Sequence, residues 1–167
     1  MQAYEIELRG ERATRKAGQI LGELLRQQPT GKRDFVLALE GELGAGKTTF
    51  IRGLAKGLGI RSKITSPSFL VAKRYTIPSA RTRRRSFGLR PQDDGKGRVF
   101  WHFDFYRLER PTQRDLELLN FHQILSDLHT IVAIEWAERA MHSLPEKRLT
   151  LRFTTLNSRA RKLIVSE

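Results

Sequence analysis

The chain shows two kinds of apolar pattern. "YEIEL" (Tyr4 to Leu8) alternates polar and apolar residues, the period of a short strand. From Glu11 to Gln28, the residues Ala13, Ala17, Ile20, Leu21, Leu24 and Leu25 recur at helical spacing. Pro29 and Gly31 break that helix. "FVLALE" (Phe35 to Glu40) is a continuous apolar run of the kind buried on both faces of a parallel sheet. It feeds a glycine loop, and a helix is predicted from Lys47 to Leu58, ended by Gly57 and Gly59. The turn-like "SKITSPSF" leads to a strand from Phe69 to Tyr75, and "VFWHFDFYRL" to another. Residues 112–128 read as mainly helical, and "TIVAIEW" (Thr130 to Trp136) as a second strongly buried strand. "RLTLRFTT" and "RKLIVS" predict a closing antiparallel pair. The expected fold is α/β: one domain over residues 1–167, with a mostly parallel central sheet flanked by helices and an antiparallel C-terminal part.

Length agrees, since 167 residues suit a single domain with a real core. The 39% hydrophobic and 29% charged content is that of a soluble globular chain. No cysteine is present, which excludes disulfides, cysteine–zinc sites and cysteine nucleophiles. No apolar run approaches the roughly 20 residues of a membrane helix. "MQAYEIELRGE" has no basic-then-apolar leader, so a cytoplasmic location is expected. Charge changes the picture more. Lys and Arg exceed Asp and Glu by 31 − 18, or +13. That excess favours a polyanionic partner such as RNA, or else reflects host composition and solubility. Residues 78–98 carry Arg81, Arg83, Arg84, Arg85, Arg90, Lys96 and Arg98 against two acids, with prolines and glycines, and predict a long mobile basic loop.

"GELGAGKTTF" carries the clearest chemistry. Gly41, Gly46, Lys47 and Thr48 fit G-x-x-x-x-G-K-[ST], set between a buried strand and a helix as a phosphate-binding loop requires. Backbone N–H groups and the helix N-terminus would face the phosphates. Lys47 would bridge the outer phosphates and the Thr48 hydroxyl would bind Mg2+. Magnesium needs further oxygen ligands. Glu135, ending a buried strand, has the placement of a Walker-B acid. In "VFWHFDFYR" a period of two puts His102, Asp104 and Tyr106 on one face and Trp101, Phe103 and Phe105 on the other. Asp104 would hold magnesium through water or orient an attacking water. His102 and Tyr106 serve either packing or chemistry. In "ITSPSF", Thr65, Ser66 and Ser68 offer hydroxyls placed to sense a terminal phosphate. No Asn-Lys-x-Asp reads guanine, so ATP is favoured over GTP. Trp136 would lie either on the adenine face or in the core.

Together "GELGAGKTTF", "TSPSF", "HFDFYRL" and "IEW" resemble, in order and rough spacing, the TsaE (YjeE) family, the ATPase component of bacterial tRNA threonylcarbamoyladenosine synthesis. The resemblance spans nearly the whole chain and implies a P-loop NTPase fold. It implies that Gly44, Ala45, Gly46, Lys47, Thr48 and Thr49 cradle ATP, that Thr48 and Glu135 hold Mg2+, and that Asp104 serves hydrolysis. Trp136 would lie near the base, and Thr65 to Ser68 would form a switch. The implied partner is a TsaB–TsaD heterodimer, on which hydrolysis would take place, weakly without it. Three departures stand out. Ser68 occupies a usual threonine position. Gly10 replaces an acid near the nucleotide, leaving Glu11 or Thr14 to supply that contact. Residues 78–98 form an insertion relative to short members.

The same residues fit two further readings. Gly41, Gly44 and Gly46 also fit the loop of small-molecule P-loop kinases, with "RTRRR" as an arginine lid. Such lids usually lie later in a chain, and no acceptor pocket of acids and arginines is evident. Separately, Arg81, Arg83, Arg84 and Arg85 could contact tRNA phosphates. Only Phe87 accompanies them as an aromatic platform.

Overall fold

A computed structural model describes residues 3–29, 35–68, 70–79 and 97–167. Phe69 and the Arg81, Arg83, Arg84 and Arg85 cluster lie outside the described residues. The elements run β1 (Ala3–Arg9), α1 (Gly10–Gln27), β2 (Phe35–Glu40), α2 (Lys47–Gly57), β3 (Ala72–Thr76) and β4 (Val99–Asp104). They continue with α3 (Gln113–Leu118), α4 (Phe121–Leu125), β5 (Thr130–Glu135), a 3-10 turn (Ala137–Ser143), β6 (Leu149–Thr155) and β7 (Ala160–Ser166).

Seven strands form one sheet in the order β1-β7-β6-β2-β5-β4-β3. The central β6, β2, β5 and β4 are mutually parallel. β7 and β1 extend one edge antiparallel, and β3 closes the other against β4. The fold is therefore the expected α/β sheet with an antiparallel C-terminal part. β2 and β5 are buried along nearly their whole length because helices cover both faces. Leu37, Leu39, Phe100, Ile131 and Ala133 face α1 and α2, packed with Phe50, Ile51 and Leu54. Val36, Ala38, Phe103, Val132 and Ile134 face the opposite layer, with Phe105, Leu116 and Phe121.

The helix pair departs from the simple apolar-stripe reading. Ile20 and Leu24 share the helical spacing but are 47% and 52% exposed. The buried line of α1 is Thr14, Gly18, Gly22 and Leu25. A Cβ on Gly18 would lie 2.1 Å from the Phe50 carbonyl oxygen, and one on Gly22 2.2 Å from that of Leu54. From α2, a Cβ on Gly53 would come 1.9 Å from the Arg15 oxygen, and one on Gly57 2.2 Å from the Gln19 oxygen. Two glycine pairs spaced by four residues thus let the backbones touch. Gly57 is the last residue of α2 and packs against α1. Gly59, at φ 83°, makes the stop, and its N–H bonds the Lys56 carbonyl at 3.0 Å.

Gly53→Ala must push the helices apart, and overpacking of this kind costs roughly 2–3 kcal/mol. Thermal unfolding should show a Tm lower by about 5–10 °C. Gly97→Ala, where nothing lies within 4 Å, is the neutral control.

The region read as one helix over 112–128 is two short ones. Thr112 opens α3 with a reciprocal capping box to Asp115, whose carboxyl is held below its usual range by the Thr112 hydroxyl and N–H. Asn120, at φ 51°, then breaks the path before α4. Among the described residues no helix is long and apolar enough to cross a membrane.

Candidate functional site

Strand register builds the site. Leu39 of β2 pairs with Glu135 of β5, and Glu135 pairs with Asp104 of β4, so three adjacent parallel strands end level. In open α/β sheets ligands bind beyond these carboxyl ends. There β2 turns into the loop Gly41–Gly46, and α2 begins at Lys47 with no side-chain cap on its first N–H groups. Gly41, Gly44 and Gly46 have φ of 126°, 77° and 108°, a region closed to most side chains. Gly41 also lacks room, since a Cβ there would meet the Phe153 oxygen at 2.2 Å. Ala45 is fully buried beneath the loop. The result is a ring of backbone donors at a positive helix end, chemistry suited to a phosphate.

Lys47 is only 4% exposed. Its ammonium donates to the carbonyls of Gly41 and, at 2.9 Å, of Glu42. Burial pushes its pKa down, partly offset by Glu135, Glu138 and Asp104, while Arg139 adds to the lowering. An anion at the loop would favour the charged form.

Behind the lysine, the Thr48 hydroxyl reaches both oxygens of Glu135, at 3.0 and 2.8 Å. His102 Nε2 lies 2.8 Å from Glu135 Oε1. His102 is wholly buried, and its Nδ1 has no hydrogen-bond partner among the described residues. The neutral ring with its proton on Nε2 therefore donates to Glu135 and leaves no buried N–H unpaired. Among the described residues no three His, Asp or Glu side chains converge as a metal centre. The hard oxygen pair of Thr48 and Glu135 fits Mg2+, an ion that keeps most of its shell for phosphate and water.

Asp104 is 3% exposed, and both its oxygens are engaged. The Tyr106 N–H donates to Oδ1 at 2.9 Å. The Ser68 hydroxyl donates to Oδ2 at 2.5 Å, and Ser66 donates to the same oxygen. Thr65 instead is exposed and accepts a 2.6 Å hydrogen bond from Lys73, so of the three expected switch hydroxyls two reach the acid and one does not. The segment returns through Val71, whose carbonyl accepts from the Asp104 N–H at 2.9 Å. Val71 has φ 64°, a conformation costly for a β-branched residue. Strain of that kind is retained where the surroundings hold it, here between the serines and the acid.

The family described as "Threonylcarbamoyl adenosine biosynthesis protein TsaE" matches residues 8–163. The chain belongs to the TsaE family. It is 38% identical over 138 residues to the tRNA threonylcarbamoyladenosine biosynthesis protein TsaE of Streptomyces coelicolor, covering 83% of this chain and 76% of that one. The Treponema pallidum protein of the same name is 31% identical over 95% of this chain and 96% of its own. The crystal structure of Bacillus subtilis YdiB superposes with a TM-score of 0.66 at 22% identity, covering 98% of this chain and 84% of that one, and shares its fold.

Two cavities flank the P-loop of this TsaE-family chain. The first, about 430 Å³, holds Lys47, Thr48, Ser66, Ser68, Asp104 and Glu135. The second, about 300 Å³, is lined by Glu11, Thr14, Ser158 and Arg161, and both reach Gly44, Gly46 and Thr49. Trp136, expected near the base or in the core, lines the first cavity. Lys47 Nζ lies 3.9 Å from its ring centre and the Arg139 guanidinium 4.8 Å. Its backbone, at φ 58°, turns the ring back over the lysine. Thr14 is buried, donates at 3.3 Å to the Gly10 carbonyl, and packs its methyl under Gly46; Glu11 pairs with Arg15 at 2.5 Å. Residues not singled out beforehand also reach the site. Arg107 follows "HFDFY" directly and lines the first cavity, a placement its neighbours could have signalled. Ser158 and Arg161 arrive through the β6–β7 hairpin, and no local signal announces them.

Proposed function

We propose that this chain is a Mg2+-dependent ATPase that supports tRNA threonylcarbamoyladenosine modification by acting on a TsaB–TsaD heterodimer. The observation that carries the reading is the meeting of Lys47, Thr48, Glu135 and Asp104 at three level strand ends behind a phosphate loop. Gly44 to Thr49 bind the triphosphate through backbone N–H groups. Lys47 leaves the Gly41 and Glu42 carbonyls for the outer phosphates, and the Trp136 ring keeps water from the exchange. Thr48 and Glu135 would hold Mg2+, which when bound would supply positive charge beside the triphosphate. His102 holds the Glu135 carboxylate in register.

Asp104 is read as the residue that manages water. In the arrangement described its Oδ2 is taken by Ser66 and Ser68. A terminal phosphate that draws those hydroxyls away frees Oδ2 to accept a proton from, or orient, the attacking water. The strained Val71 link would relax with the same movement. Such a site works slowly alone and faster when a partner fixes the serines on the phosphate, in keeping with a subunit acting on TsaB–TsaD.

Turnover of ATP by the isolated chain, with Mg2+ and with excess EDTA, checks the first part. Slow hydrolysis abolished by EDTA is expected; hydrolysis that ignores the metal would contradict the roles of Thr48 and Glu135.

A further inference from the structure

A groove of about 1090 Å³ lies at the far end of α2 from the P-loop. Among the described residues its charged lining is Arg26, Lys56 and Arg61. Gly59, Ile60 and Pro78 form its floor. A second groove shares Lys56 and Ile60 and continues the surface past Arg15, Arg52 and Lys63 to Ile64. Arg52, Lys56, Arg61 and Lys63 are all exposed. Among the described residues, the ion pairs on this face reduce to Arg15 with Glu11; none involves Arg52, Lys56, Arg61 or Lys63. Arg26 lies across Gly59, where a Cβ would meet its Nη1 at 2.7 Å.

We infer that this connected basic groove binds the phosphate backbone of an RNA. Forked guanidiniums at Arg26 and Arg61 beside the ammonium of Lys56 suit phosphate oxygens. Arg52 and Lys56, one turn apart on α2, continue the row of cations. Apart from the cations, the described lining offers only Ile60 and Pro78 as larger apolar side chains, with none of the Trp or Tyr anchors that centre many protein interfaces. No aromatic stands among the described lining residues, and recognition there rests on phosphate and shape. That the polyanion is RNA rests on the reading of this chain as part of tRNA modification. The row ends at Ile64, two residues before Ser66, and places the strand beside the segment that holds Asp104.

The test is fluorescence anisotropy of the full chain with labelled unmodified tRNA across a salt series. Lys56→Glu/Arg61→Glu is compared with Arg110→Glu/Arg114→Glu, an equal charge change at exposed sites around α3 in the opposite layer. The groove variant should lose at least about tenfold in affinity, and its log–log salt slope should fall by roughly 2. The control should stay within about twofold. Lys63→Glu alone, beyond the helix, should show about half the slope change if the double variant folds poorly. Equal losses in both double variants would reduce the effect to net charge and overturn the assignment. Equal affinity for single-stranded DNA of the same length would overturn the choice of RNA. Unchanged RNA binding with lost binding to purified TsaB–TsaD would give the groove to an acidic protein instead. ATP turnover without RNA should be unaffected in all variants, so a failure of the ATPase reading shows separately.

Discussion

Asp104→Ala should leave ATP affinity within a few-fold and slow turnover by on the order of 10²–10³, the usual contribution of a positioned acid or base. The carboxylate touches the switch serines and the Tyr106 N–H, and it lies across the cavity from the loop that grips the phosphates. Removing it therefore takes away the group that manages water and leaves the backbone ring and Lys47 in place. The two serines also lose their shared acceptor, so the segment from Ser66 to Val71 should become easier to displace. Asp104→Asn separates these effects. It keeps an acceptor for one serine, cannot take a proton, and should be as slow as the alanine variant. Nucleotide titration gives affinity, and single-turnover hydrolysis gives the chemical step. A fully active Asp104→Ala would remove Asp104 from the mechanism.

The second large effect is at Glu135. In Glu135→Ala, Thr48 Oγ1 and the wholly buried His102 Nε2 both lose their acceptor. An unsatisfied buried donor costs about 1–3 kcal/mol, so Tm should fall as well. The diagnostic result concerns magnesium. The unmodified chain should bind ATP more tightly with Mg2+ than without it, and Glu135→Ala should lose that difference. Glu135→Gln should restore much of the Tm and little of the magnesium effect, because it supplies an acceptor without the charge. His102→Leu should weaken the magnesium effect only in part, since Thr48 still meets the carboxylate. A Glu135→Ala chain with an undiminished magnesium effect would overturn the assignment.

The parts legible in the sequence are those whose chemistry is local. "FVLAL" and "IVAI" are apolar throughout because both faces are covered, and the P-loop glycines follow the first strand directly. Glu135 and Asp104 stood out as acids at strand ends, and the parallel register then set them side by side. What stayed hidden depends on pairings between distant segments. Gly18, Gly22, Gly53 and Gly57 look like helix weaknesses until the two backbones are seen to touch. Ile20 and Leu24 look like core until glycine takes the contact line. The period of two placed His102 on the Asp104 face, but nothing local showed it meeting Glu135 one strand away. Tyr106, carried past the strand end, is 41% exposed and packs on Trp136 at 5.3 Å between ring centres. Thr65 and Ser66 are neighbours in sequence and face different partners, a choice made by the turn at Pro67.

The central claim is that this site spends ATP on a partner's cycle, with water as the acceptor. It is tested most directly by ATP turnover measured with and without purified TsaB and TsaD from the same source. Low turnover by the chain alone and strong stimulation by the heterodimer, lost in Asp104→Ala, is the predicted result. No stimulation, together with transfer of the terminal phosphate to a small metabolite, would contradict it and select a kinase.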